Sequence, residues 1–295
     1  MNEQATPKLK YLIQSVPPGF LVDSAWTARH AISRQSVSAY IKQGWLERIA
    51  TGVYRRPFSA RETVQAVSGW KIPLLSAQWI MGHAFHVGGL TALGLRGHSH
   101  YLQLGGDTPV YLYGFDIPDW LMTLTTDASF VRRGHGLFTE ETSGVENCEF
   151  SLSDNPDEEL AMSPWRWPIK MSSAERAILE LLDELPKNES FHSIDMVFEG
   201  MVNLRPKMLT TLLTQCRSVK VKRLFFVYAD KHAHAWLKHI DRSQIDMGRG
   251  DRALRRLRAC PPRPSIKAVR TPSSGAALST SGPASGPTSR CSSAG

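Results

Sequence analysis

The first 57 residues place their apolar positions on a helical period three times and then on a strand-like period twice. Leu9, Leu12 and Ile13 share one side of a short helix over 7–15, which Pro17-Pro18-Gly19 stops. Asp23 or Ser24 is placed to cap a second helix reaching about His30, and Ser33 to cap a third that runs to Gln43 and ends at Gly44. Val37, Tyr40 and Ile41 recur at i, i+3 and i+4, so they give that third helix a packing face. Residues 45–49 and 53–56 have strand composition around a turn at Thr51-Gly52. Helix, helix, helix, hairpin is the outline of a winged helix-turn-helix.

Beyond residue 57 the pattern is mixed. Residues 62–80 offer helical stretches broken near Pro73, 86–97 a glycine-flanked helix, and 110–114 and 121–132 strand composition. The acidic stretch 134–160 reads as loop-rich. Ser172-Ser173-Ala174-Glu175 has the form of a capping box ahead of Ile178, Leu181, Leu182 and Leu185 on a helical period, and that apolar face reads as core. Two further helices are expected over 191–202 and 206–216, a strand or strand pair over 219–228, and a closing helix over 231–240. Residues 249–295 hold no aromatic side chain and consist mostly of Arg, Ser, Ala, Pro and Gly, a composition that predicts disorder. The expected fold class is α+β: a winged helix-turn-helix over 1–57, a mixed α/β C-terminal domain over 58–248, and a disordered basic tail.

Charge changes this picture through its distribution. The net +8 lies entirely in residues 249–295, which carry 9 basic and 1 acidic side chains, whereas 1–248 carry 26 of each. Within the balanced part, 1–57 hold 8 basic and 3 acidic residues, 107–159 hold 2 and 12, and 205–242 hold 9 and 2. A basic first lobe followed by an acidic region fits a protein in which one lobe meets phosphates and another avoids them. No apolar run approaches the roughly 20 residues of a membrane helix. The first residues have no apolar signal core, and the four scattered cysteines form no CxxC pair, so a cytoplasmic protein without a membrane is expected.

The third helix carries the chemistry. Arg34, Ser38 and Lys42 at i, i+4 and i+8 form one stripe, and Gln35 lies beside it. Arg and Gln suit bidentate contacts to base edges in the major groove, Ser and Lys reach bases or phosphates, and the helix start at Ser33 can receive a phosphate. Arg48, Arg55 and Arg56 would sit on or beside the wing. Trihelical segments of this size also serve as protein–protein modules, so double-stranded DNA and a protein partner both remain open from pattern alone.

The run SAWTARHAISRQSVSAYIKQGWLERIATGVYRR resembles the N-terminal winged helix of AbiEi-type abortive-infection antitoxins of bacteria. The resemblance continues in HVGGLTALGLRGHSHYL, SSAERAILELLDELP and SVKVKRLFFVYADKHAHAWLKHID, and so covers about 7–248 in separated blocks. It implies the antitoxin of a type IV toxin–antitoxin system: a repressor that binds inverted repeats upstream of its own operon through Ser33, Arg34, Gln35, Ser38 and Lys42, with wing contacts from Arg48, Arg55 and Arg56. It also implies that the C-terminal domain neutralises a nucleotidyltransferase-like toxin without a stable complex. Within the basic 205–242 segment, Arg217, Lys220, Lys222 and Arg223 are the candidate antitoxic surface. After IDMG the chain departs from the family pattern into RRLRACPPRPSIKAVRTPSSG, and a frameshift near residue 250 is the expectation that accounts for it.

Catalytic signatures argue for no enzyme. The chain has no Gly-Ser dipeptide of the kind a nucleotidyltransferase uses to grip a triphosphate. No Lys has Asp or Glu two positions earlier, as a restriction-type nuclease core requires, and there is neither P-loop nor HExxH. The histidine groups His83/His86, His98/His100 and His232/His234/His239 match no recognised ligand set, so neither metal nor cofactor is expected. Gly88-Gly89 reads as a tight turn into a closely packed helix. Trp165 and Trp167 read as core or interface residues. A ligand-sensing winged-helix regulator unrelated to a toxin, and an unrecognised enzyme acting on nucleic acid, stay open as alternatives.

Overall fold

The structure, a computed structural model, describes residues 7–58, 69–98, 108–149 and 167–248. The expectations for 249–295, for 150–160, for the start of 62–80, and for His100 and Trp165 fall outside the described residues. The described chain is α+β, and its N-terminal part runs helix–strand–helix–helix–strand–strand. Helix α1 is Pro7–Ser15, strand β1 Leu21–Asp23, α2 Ser24–Arg29, α3 Arg34–Lys42, β2 Glu47–Ala50 and β3 Val53–Arg55. The three strands form an antiparallel sheet in the order β1-β3-β2, the connectivity of a winged helix. The sequence pattern missed β1, because its three residues are all buried and too few to show an alternation. Gly52 takes φ +74 in the β2–β3 turn, and a Cβ there would lie 2.8 Å from the Ser24 Oγ, so glycine alone fits this close approach. The Gly52 carbonyl in turn accepts from the Ser24 N–H at 2.9 Å, which holds the turn against the start of α2.

The remainder is built on a five-stranded mixed sheet, ordered β6-β5-β4-β8-β7. Its strands are β4 Phe85–Val87, β5 Thr108–Gly114, β6 Ala128–Arg133, β7 Val145–Glu149 and β8 Pro168–Ser172. The helical stretch expected before β4 appears as α4, Lys71–Leu75, continuing into a π-turn at Ser76–Ile80. Pro73 is tolerated in the first turn of α4, where its missing N–H is not needed. Helix α5 is Gly89–Leu95 and α6 is Asp119–Thr123. On the other side, α7 Ala174–Asp183, α8 Phe191–Glu199, α9 Pro206–Gln215 and α10 Val219–His232 form a helical layer. Single-turn 3-10 helices at Ala235–His239 and Arg242–Gln244 end the described chain.

Several expectations need correction. The strand expected over 121–132 is helix at Asp119–Thr123 and strand only over Ala128–Arg133, the stretch 134–160 expected as loop holds strand β7, and the expected 86–97 helix begins as strand β4. The closing helix expected over 231–240 is the end of α10 at His232, followed after left-handed Ala233 by the 3-10 turn Ala235–His239. Residues 219–228 are helical, not strand. Val221, Leu224, Phe225, Tyr228 and Ala229 are buried at helical spacing, and the Ser218 hydroxyl caps the first turn through the Val221 N–H. The β-branched valines suggested a strand, but burial on a 3.6-residue period decides for a helix. The cap of α7 is Ser173 rather than Ser172. Its hydroxyl accepts from the Arg176 N–H at 3.3 Å, and Glu175 turns away to bind Arg205.

Alternation in the strands explains the layering. Phe85, Val87, Val110, Leu112, Ile169 and Met171 join one core with α1, α2 and α3, which includes Leu12, Phe20, Trp26, Val37 and Tyr40. The winged helix therefore shares its apolar interior with one face of the sheet, and the Phe20 and Trp167 rings meet across the junction at 5.0 Å. A second core lies among α5 and the helical layer α7 to α10.

Candidate nucleic-acid interface

The third helix is built from its cap upward. Ser33 holds extended backbone (φ −69, ψ 158), and its Oγ accepts from the Ser36 N–H at 3.1 Å, satisfying one of the free donors of the first turn. Val37 and Tyr40 are buried and Ile41 half-buried, so packing fixes the rotation of the helix. That rotation leaves Arg34, Gln35, Ser38 and Lys42 exposed together. At 1.5 Å per residue the stripe from Arg34 to Lys42 is about 12 Å long, close to the width of the B-DNA major groove.

Helix α2 precedes α3 in the chain. Asp23 caps it through the Trp26 N–H at 2.7 Å, and the buried Trp26 ring packs on His30 at 4.2 Å. Ala31, at φ 55, turns the chain between the two helices, and the Lys8 ammonium from α1 donates to its carbonyl. Lys8 and Lys10 lie exposed on α1, a second basic strip in addition to those of α3 and the wing. Their signal in the sequence was the polar side of the 7–15 helix.

The three wing arginines have different environments. Arg48 is exposed on β2, opposite Tyr54. Arg55 is half-buried, with its guanidinium paired to Glu47 at 2.6 Å across the hairpin. Arg56 donates to the Ile13 and Val16 carbonyls at 2.8 and 2.7 Å, closing the C-terminal end of α1. The structure thus brings Arg34, Gln35, Ser38 and Lys42 onto one face and employs Arg55 and Arg56 inside the fold.

The basic candidates of the C-terminal part also meet backbone. Lys220 donates to the Asp183 and Leu185 carbonyls at the end of α7, at 2.7 and 3.0 Å. Lys222 is buried and reaches the Asp246 carbonyl at 3.1 Å, and Arg223 donates to the Met247 carbonyl at 3.0 Å. Arg217 is exposed, with a long contact of 3.5 Å to the Gly136 carbonyl. Only Arg217 and Lys220 of the four are exposed; the other two help seat residues 246–248 on α10.

A buried polar cluster occupies the sheet face that meets α7. Glu180 accepts from His86 at 2.9 Å and the Arg176 Nε at 2.8 Å through one oxygen, and from the Gly89 N–H at 3.0 Å and the Ser172 hydroxyl at 2.8 Å through the other. A Cβ on Gly88 would fall 2.3 Å from that carboxylate, which requires glycine at this crossing. The Gly88-Gly89 turn therefore receives a carboxylate of its own chain where a phosphate loop would hold a ligand. Burial pushes the Glu180 carboxyl up, but His86 and then Arg176 outweigh it and hold it down at about 2. Glu175 is likewise at about 2: burial opposes the shift, and hydrogen bonds from the Arg205 side chain and N–H outweigh it. Both carboxylates therefore contribute stability above their ordinary value of 4.5 and lose it as pH falls towards 2. The urea midpoint of the full chain is expected to drop between pH 5 and pH 3 by an amount equivalent to a few kcal/mol. Equal midpoints at the two values would refute this assignment.

Among the described residues, no three His, Cys, Asp or Glu side chains gather as a metal-holding group, and no helix is long and apolar enough to cross a membrane.

Comparison with known proteins adds to this geometry. A family model described as "Transcriptional regulator, AbiEi antitoxin N-terminal domain" matches residues 5–104, and one described as "Transcriptional regulator, AbiEi antitoxin, Type IV TA system" matches residues 108–257. The chain is similar to the RV2827C protein from Mycobacterium tuberculosis, whose crystal structure superposes with a TM-score of 0.45 at 14% identity, covering 79% of this chain and 80% of that one. A search of curated protein sequences gives no match.

Proposed function

The chain belongs to the AbiEi antitoxin family, the transcriptional regulators of type IV toxin–antitoxin systems, and from that premise we propose that residues 1–57 read operator DNA as the winged helix-turn-helix of an autorepressor. The observation that carries this reading is the exposed stripe Arg34, Ser38, Lys42, with Gln35 beside it, on a helix whose opposite side is fixed by Val37 and Tyr40. Arg34 and Gln35 reach base edges in the major groove, Ser38 and Lys42 reach bases or phosphate, and free N–H groups at Ser33 receive a phosphate. Arg48 meets the DNA backbone from the wing, while Arg55 and Arg56 serve the interface by holding the hairpin and α1 in place. Two copies on inverted repeats upstream of the operon give the repression its symmetry.

Residues 58–248 carry the antitoxic role against a nucleotidyltransferase-like toxin, exerted without a stable complex. Arg217 and Lys220 are the exposed part of the proposed surface, and Lys222 and Arg223 shape it from beneath.

Fluorescence anisotropy of the full chain with DNA from upstream of its own gene, over a salt series and against unrelated competitor DNA, tests the repressor role. Sequence-selective binding whose log affinity falls linearly with log salt supports the reading. Binding that unrelated DNA competes away equally sinks it. Co-expression with the adjacent toxin gene tests the second role: growth rescue by the wild type that an Arg217→Glu, Lys220→Glu variant loses is the expected outcome. Undiminished rescue by that variant removes the surface assignment.

A further inference from the structure

The polar part of the junction between the winged helix and the sheet lies at the turn leading into β4. His83 sits there between two carboxylates. Its Nδ1 meets the Asp116 carboxylate at 3.0 Å, and its Nε2 faces Asp23 at 3.9 Å, a distance for charge attraction rather than a hydrogen bond. Asp23 ends β1 and caps α2 through its other oxygen, so His83 touches the residue that starts the helix-turn-helix. Two more contacts tie the same elements: the Arg29 Nη2 donates to the Met81 carbonyl at 2.7 Å, and the Leu21 N–H donates to the Ser76 hydroxyl at 2.9 Å. Asp116 also accepts from the Ala84 N–H at 3.3 Å, which fixes it beside the ring. The His83 Nε2 is buried and makes no hydrogen bond in the structure.

This arrangement pulls its chemistry in one direction. A neutral imidazole leaves Asp23 facing a ring atom with no charge to answer it. A protonated ring is attracted by both carboxylates at once and bridges β1 and α2 to the loop after β5. We propose that His83 is a proton-dependent latch that positions the helix-turn-helix on the sheet, and hence a positioning residue for operator binding outside the winged helix itself. The operator half of this inference rests on the repressor reading above.

The charged groups around the ring are Asp23, Asp116 and, acting on Asp23 from α2, Arg29. Asp23 and then Asp116 hold the imidazole above its ordinary value of 6.5 against burial, which pushes the other way. Burial pushes the Asp23 carboxyl up, but His83 and the Trp26 N–H outweigh it, so Asp23 lies below its ordinary 3.8 and stays ionised throughout the window in which His83 titrates. A raised folded-state histidine contributes stability that is complete below 6.5 and is lost as pH rises through its folded value. The latch is therefore closed at pH 6 and open at high pH.

The test compares the wild-type full chain with His83→Gln at pH 6.0 and pH 8.5 and constant ionic strength, reading both the urea midpoint and the affinity for upstream DNA. Wild-type affinity is expected to fall about 2- to 5-fold across that step, the range of a half-exposed ion pair, together with the midpoint. His83→Gln should show neither step beyond that of the remaining histidines, and Asp116→Asn should behave in the same way if His83→Gln folds poorly. His30→Gln serves as the control for the histidine on the helix-turn-helix turn. A wild-type step that His83→Gln and Asp116→Asn retain in full, or a step that only His30→Gln removes, overturns the latch. A midpoint step lost in His83→Gln, with no selective DNA binding at any pH, upholds the latch and overturns the repressor reading.

Discussion

Alanine at both Arg34 and Lys42 is expected to lower affinity for the upstream DNA on the order of 10²-fold without moving the thermal midpoint of the protein. Both side chains are exposed on α3, and the helix is held by Val37, Tyr40 and the Ser33 cap, none of which the change touches. A bidentate arginine–guanine contact contributes about 1–3 kcal/mol of discrimination, and a lysine on phosphate adds a smaller term that is uniform across sequences. Single variants should separate the two contributions. Arg34→Ala relaxes selectivity at one base position, whereas Lys42→Ala weakens all sequences alike and reduces the salt slope by about 1. Arg56→Ala offers the contrast, because its guanidinium closes α1 through the Ile13 and Val16 carbonyls and its loss should lower the midpoint. Anisotropy and thermal unfolding on the same samples read the difference. Unchanged affinity in the Arg34, Lys42 double variant would remove α3 from the interface.

Glu180→Ala is expected to lower the stability of the protein by about 3–5 kcal/mol. The carboxylate receives hydrogen bonds from β4, β8, the start of α5 and its own helix α7, all in the interior. Removing it leaves the buried Arg176 without its anionic partner and the Gly89 N–H and Ser172 hydroxyl without an acceptor. Breaking a buried pair in this way costs about 3–5 kcal/mol, a large part of the 5–15 kcal/mol that holds a typical domain folded. Arg176 retains the Glu141 and Ser143 carbonyls and the Phe138 ring, 4.5 Å from its guanidinium, which keeps the loss within that range. Urea unfolding followed by circular dichroism should show a midpoint far below wild type. A midpoint within experimental error of wild type would show that the cluster is dispensable.

The polar groups of the molecule divide according to what they face. On α3 they face solvent and are available to a ligand. Around Glu180 they face one another, and their desolvation is offset by four donors converging on one carboxylate. His83 lies between these cases: largely buried, paired with a half-exposed carboxylate at Asp116, and without a hydrogen bond at Nε2.

Local signals in the sequence determined much of the N-terminal part. The 7–15 helix, the Asp23 and Ser33 caps, the Gly52 turn and the outward stripe of α3 all appear in the structure, because each depends on contacts within a few residues. The charge of Arg55 and Arg56 was equally plain, but their partners were not. Glu47 lies across a hairpin, and the Ile13 and Val16 carbonyls are some 40 residues away, so only the folded chain shows that these arginines are turned inward. The same limit hid β1, whose three buried residues become a strand by pairing with β3, and it turned α10 into an expected strand until its buried positions were seen to follow a helical period. His83 belongs to the tertiary structure, and so does Glu180 apart from its i,i+4 pair with Arg176. The sequence shows His83 three residues from His86, and Glu180 as one of three acids on its helix; what each does follows from which charges the fold places within 4 Å of it.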